Sequence, residues 1–128
     1  MAFDAQHVAN VVECDALAAF FDCLPRSHFN MKRWRDVTPL GTVACIVGWI
    51  AELDGEAFTV ETPFGPSPDE PAYLAYAARK LGIAQAAVEA LSRPPHYMGN
   101  WAEITPCRAA TVLRRLAATG EVDWSVVQ

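Results

Sequence analysis

No two of the four cysteines, at positions 14, 23, 45 and 107, stand in a C-x-x-C pair. The spacing of a zinc knuckle or a thioredoxin motif is therefore missing. His7, His28 and His96 are scattered and add no ligand cluster, so neither a metal nor a cofactor is expected. No apolar run approaches the ~20 residues that span a bilayer. The first twenty residues carry acids but no Lys or Arg, the reverse of a secretory leader. Positive charge is scarce throughout, with a net charge of −5. That balance argues against bulk attraction to phosphate backbones or to anionic lipid. These absences predict a cytoplasmic protein whose cysteines are reduced and serve mostly as small hydrophobes.

What is present is apolar substance. Hydrophobic residues make up 52% of 128 positions. A chain of this length buries roughly two-thirds of its unfolded surface, enough for one self-supporting domain. The patterning is mostly helical. Residues 4–24 place Val8, Val11, Val12, Leu17, Ala18, Phe20 and Phe21 at three-to-four spacing, and Pro25 ends the run. "GTVACIVGWIAEL" is predicted as a helix over 42–53, capped by Thr42 and apolar nearly all round, which marks a buried helix. Gly48 inside it implies close approach of another element, because a helix interior otherwise disfavours glycine by ~1 kcal/mol. Asp69 or Ser67 caps a helix at about 70–81, closed by Gly82. "AQAAVEALS" is a short fourth helix, and Thr105-Pro106 opens a fifth that ends at Gly120. Residues 57–62 and 121–126 alternate apolar and polar side chains, as strands do. The expected architecture is thus a mainly α single domain, 1–128. About five helices surround a central apolar helix (42–53), with a two-stranded ribbon of about 57–62 against 121–126. No internal repeat and no low-complexity tract stands out.

"HFNMKRW", "GTVACIVGWIAEL" and "ITPCRAATVLRRLAATGEVDW" together resemble a family of small proteins of bacterial genomes and their phages. Its pattern runs F-x-M-x-x-W, then C-G-T-x-x-C-x-x-G-W, then T-G-E-V-D-W. The likeness covers residues 28–124. Leu40 stands where the pattern has its first cysteine, and Cys45 matches the second, so a chemistry needing both thiols is absent. The resemblance brings no activity with it. It implies a mobile-element setting, in which an inhibitor of a bacterial defence system, anti-CRISPR-like or otherwise, is the sharpest expectation.

Three places invite a functional reading. Cys45, near a helix start, could be a nucleophile with His28 or His96 as base. On a helix without a polar face it reads better as an inert core thiol, and no enzyme is expected. The segment "RSHFNMKRWRD" interleaves Arg26, Lys32, Arg33 and Arg35 with His28, Phe29 and Trp34. From Arg35 to Arg79 there is then no basic residue, while seven acids occur. Segregated charge suits a directed protein interface, and basic residues among aromatics also suit single-stranded nucleic acid. The plain alternative is a solvated connector with its aromatics in the core. Finally, "RPPHYMGNW" offers His96, Tyr97 and Trp101 on a proline-stiffened segment, as contact residues or as anchors of the core. The expected function is a small protein-binding module for a larger host or phage protein with an acidic surface. A nucleic-acid accessory protein using 26–35 is the alternative, and a cysteine enzyme is third. Sequence does not fix the oligomeric state.

Overall fold

Helix α1 (Val11–Cys23) begins where Asn10 accepts the Glu13 N–H through its side chain at 3.3 Å. The computed structural model describes residues 10–128, so the start of the predicted first helix, with Val8, lies outside the described residues. Cys14, Leu17, Ala18 and Phe21 recur at i, i+3, i+4 and i+7 and are buried. Val11 and Val12, expected on that stripe, are instead 42% and 77% exposed. Val12 stands two residues from Cys14, about 200° round the helix from the buried face. Pro25 follows the helix as predicted, and residues Arg26–His28 make one 3-10 turn.

The next segment runs along the start of α2 (Ile46–Leu53) and is stitched to it. Ala44 N–H donates to the His28 carbonyl at 3.3 Å, Asn30 N–H to Ala44 at 3.1 Å, and Cys45 N–H to Arg33 at 2.8 Å. The Trp49 indole donates to the His28 carbonyl at 2.9 Å. A methyl group on Gly48 would stand 1.8 Å from the Trp34 carbonyl oxygen. The predicted close approach is therefore that of the Trp34 backbone. Phe29 and Met31 are buried, and Phe29 packs edge-on against Phe21 at 5.3 Å.

Helix α2 is shorter than the predicted 42–53. Its cap is Cys45, whose sulfur accepts the Gly48 N–H at 3.4 Å, and not Thr42. Thr42 lies in strand β2 (Gly41–Val43), paired antiparallel with β1 (Asp36–Thr38) around a Pro39-Leu40 turn. β-Branched Val37, Thr38, Thr42 and Val43 favour that hairpin over a helical turn. Ile46 to Ala51 are all buried.

The ribbon also differs from expectation. β3 (Thr59–Thr62) pairs with β4 (Gly65–Pro68) across Pro63-Phe64, not with residues 121–126. A two-residue connection closes at far lower entropic cost than one of some sixty residues. The tail forms a 3-10 turn, Trp124–Val127, capped by the Asp123 side chain. Its alternating pattern comes from Trp124 turning into the core, where the indole donates to the Ala90 carbonyl at 2.9 Å.

The remaining helices match their signals. Asp69 caps α3 (Glu70–Leu81), and Gly82 closes it at φ 66°. α4 (Gln85–Ser92) follows, then 3-10 turns His96–Met98 and Trp101–Glu103. Thr105 caps α5 (Pro106–Thr119). The chain is mainly helical, with two small antiparallel hairpins among the described residues. α1 and α5 make the most extensive helix pairing, and α2 packs on α3 and α4. Arg114 bridges α5 to Asp22 of α1.

Candidate functional site

The two irregular segments singled out from sequence meet. Met31, Lys32, Arg33 and Trp34 form one wall of a cleft of about 380 Å³. Ser92, Arg93 and Trp101 form another, with Cys45 and Glu70 completing the lining. Each wall has a local cause. The 31–34 wall is fixed by the backbone bonds to the start of α2, which leave Lys32 and Arg33 exposed. Arg93 follows the last turn of α4 and precedes Pro94, which bars further helix. Trp101 opens a 3-10 turn capped by the Asn100 side chain. Glu70 begins α3, where an acid complements the helix dipole.

The chemistry is that of a cation-rimmed aromatic slot. Lys32, Arg33 and Arg93 are exposed. Arg33 has one loose ion partner, Asp36 at 3.9 Å, on a well-solvated surface. Such a contact contributes at most about 1 kcal/mol. Trp34 and Trp101 are half-buried, and Trp34 stacks at 5.6 Å on the buried Tyr73. The four indoles divide by their N–H groups. Those of Trp49 and Trp124 donate to backbone carbonyls. Among the described residues, those of Trp34 and Trp101 have no protein acceptor, and no buried side-chain polar atom is left unpartnered. Trp34 and Trp101 therefore keep donors available to solvent or a ligand.

Cys45 lies on the floor of this cleft and is 3% exposed. Burial pushes its thiol up to about 11, although the Gly48 N–H favours the thiolate. Cys14 is likewise buried and pushed up to about 11 by burial first and by Asp15 and Glu13 next. Cys23 and Cys107 are exposed, against the expectation that the cysteines mostly serve as buried hydrophobes. No histidine bonds to Cys45 among the described residues. The His28 ring instead donates from Nδ1 to the Thr42 carbonyl at 3.0 Å and packs against Gly41.

The other candidates do not line the cleft. Arg26 is exposed and donates to the Glu103 carbonyl at 3.3 Å. Arg35 is bound to Glu52, Nε to Oε1 at 2.7 Å, and that carboxylate raises its pKa further. Glu52 also accepts from Thr42 at 3.0 Å, so Arg35 belongs to a structural triad. His96 and Tyr97 are exposed on their own 3-10 turn, ring to ring at 6.3 Å. Glu70, Ser92 and Arg93 were missed. Arg93 was within reach, because it opens the segment "RPPHYMGNW".

A smaller hollow of about 120 Å³ lies between α1, α2 and α3, lined by Leu17, Ile50, Leu53 and Leu81. Its cation, Lys80, is already engaged by Asp54 at 3.1 Å and Glu13 at 3.8 Å. No described helix is long and apolar enough to cross a membrane. No group of three or more potential metal ligands occurs among the described residues. No family model, curated protein or solved structure matches this chain.

Proposed function

We propose that this chain is a protein-binding module that takes an acidic, aromatic-bearing segment of a larger protein into the cleft between Trp34 and Trp101. The observation that carries the reading is the meeting of Lys32, Arg33 and Arg93 with two half-buried indoles around a single opening. Aromatic and arginine side chains are the commonest energetic anchors of interfaces. Arginine adds a forked donor pair suited to carboxylates. Binding, rather than thiol catalysis, fits a Cys45 that is almost wholly buried and held as the thiol.

Single-stranded nucleic acid is the second reading, because indoles flanked by cations also stack bases. Glu70 on the same lining repels any anion, and it repels a chain with a phosphate at every nucleotide more than a segment with a few carboxylates, which favours the protein ligand. Titration calorimetry separates them, using a glutamate-rich peptide with a central phenylalanine and an oligothymidylate as probes. The peptide should bind, more weakly as salt rises, and Arg33→Glu with Arg93→Glu should abolish binding while leaving the fold intact. Binding of the oligothymidylate in preference to the peptide transfers the site to nucleic acid. An inhibitory role toward a bacterial defence system is the sharpest biological form of this reading. In it, the chain protects phage plating on a defended host, and the same double variant does not.

A further inference from the structure

The two hairpins carry one device written twice. Thr38-Pro39-Leu40-Gly41 and Thr62-Pro63-Phe64-Gly65 have the same order of residue types. In the first, the Thr38 hydroxyl donates to the Gly41 carbonyl at 2.9 Å and accepts the Leu40 N–H at 3.1 Å. In the second, Thr62 donates to Gly65 at 2.7 Å and accepts from Phe64 at 3.1 Å. Proline presets the first turn position, and glycine takes positive φ, 121° at Gly41 and 104° at Gly65. Each turn holds a large apolar side chain in water. Leu40 is 83% exposed and Phe64 is 99% exposed. A rigid tip that displays a ring loses little freedom when the ring is buried by a partner.

Charge decides between the tips. From Arg35 to Arg79 the chain has no cation. Asp36, Glu52 and Asp54 in that stretch are paired with bases, and Asp69 caps α3. Glu61, on β3 beside the turn, is exposed and has no ion partner among the described residues. The β3–β4 hairpin is thus a phenyl ring with a carboxylate close by. That is the complement of a cleft of about 380 Å³ lined by two indoles, on which the cations Lys32, Arg33 and Arg93 outnumber the one carboxylate, Glu70. We infer that, until such a larger protein displaces it, the occupant of the cleft is the β3–β4 hairpin of a second copy of this chain, with Phe64 between Trp34 and Trp101 and Glu61 facing Arg33 and Arg93. The inference rests on the cleft being a recognition site and adds its ligand. Hairpin and cleft are different surfaces, so the contact joins unlike faces of two copies.

Two variants test it, because each removes one half of the contact. Phe64→Ser keeps the cleft and loses the ring, while Arg33→Glu/Arg93→Glu keeps the ring and loses the cleft. The measurement is sedimentation equilibrium of the full chain over rising concentration, at low and high salt, with thermal melts to verify folding. The wild type should self-associate, less so at high salt, and each variant alone should be a folded monomer. An equimolar mixture of the two should regain association as a one-to-one dimer, since one intact cleft and one intact ring remain. A wild type that stays monomeric at millimolar concentration overturns the inference. So does undiminished association by Phe64→Ser, or a mixture that stays monomeric. The glutamate-rich peptide is titrated in parallel: a monomeric wild type that binds it loses only the second copy as occupant, whereas failure to bind it removes the cleft reading as well.

Discussion

At Gly48 the smallest possible addition, one methyl group, has no place to go. The Trp34 carbonyl oxygen would be 1.8 Å from it, and that oxygen belongs to a backbone pinned by the neighbouring Cys45–Arg33 bond. Helix propensity alone says that Gly48→Ala should stabilise by ~1 kcal/mol. Overpacking against a fixed backbone reverses the sign, by ~1–3 kcal/mol or more. The urea midpoint should therefore fall in the alanine variant, and a rise would mean the 28–34 segment is not clamped on α2. The glycine was legible in the sequence as a close-approach site. Its neighbour was not, because nothing local to "CIVGW" names a chain segment fourteen residues upstream. Cys45 makes a second prediction. Its thiol titrates near 9.0 in the unfolded chain and near 11 when folded, because burial disfavours the thiolate. The unfolded state thus gives up its proton first. Stability is unaffected below pH 9 and is lost as pH rises toward 11, by about 3 kcal/mol. Cys45→Ala should remove that part of the alkaline slope in denaturation curves taken across this window, and an unchanged slope would contradict the burial.

Among the elements, helices were legible where both ends carried chemistry of their own. Asp69 with Gly82 and Thr105 with Gly120 set α3 and α5 as read. α2 was read four residues too long at its start, since Thr42 is as good a cap by type as Cys45 is a poor one. Only the strand partner, β1, decides that Thr42 belongs to a hairpin. The twin turns went unseen because a four-residue repeat has no period to detect. Alternation in "EVDWSVV" misled for a related reason: a 3-10 turn with one deeply seated Trp leaves the same polar–apolar trace as a strand. The two placements differ in energy. Trp124 is 2% exposed, with its indole on the Ala90 carbonyl at 2.9 Å. Trp124→Ala should cost about 3–5 kcal/mol in chemical denaturation. A loss within about 1 kcal/mol would return the tail to the surface ribbon that the alternation first suggested.

Across the whole molecule, the acidic balance conceals one basic opening. Net charge of −5 argues against a general affinity for polyanions. The fold nevertheless gathers Lys32 and Arg33 from one irregular segment with Arg93 and Trp101 from another. Sequence nominated both segments but could not bring them together, since their meeting depends on α4 ending at Ser92 beside the start of α2 and α3. Nor could it separate Arg33, which faces the cleft, from Arg35, which Glu52 already holds. The indole N–H groups offer the most direct test of the recognition cleft. Trp49 and Trp124 donate theirs to backbone, whereas Trp34 and Trp101 keep theirs free of protein acceptors among the described residues. Proton–nitrogen NMR resolves all four indole signals during a titration with the glutamate-rich phenylalanine peptide. The signals of Trp34 and Trp101 should move together and saturate, with those of Trp49 and Trp124 still. Saturable binding that leaves Trp34 and Trp101 unmoved would contradict the cleft as the site of recognition.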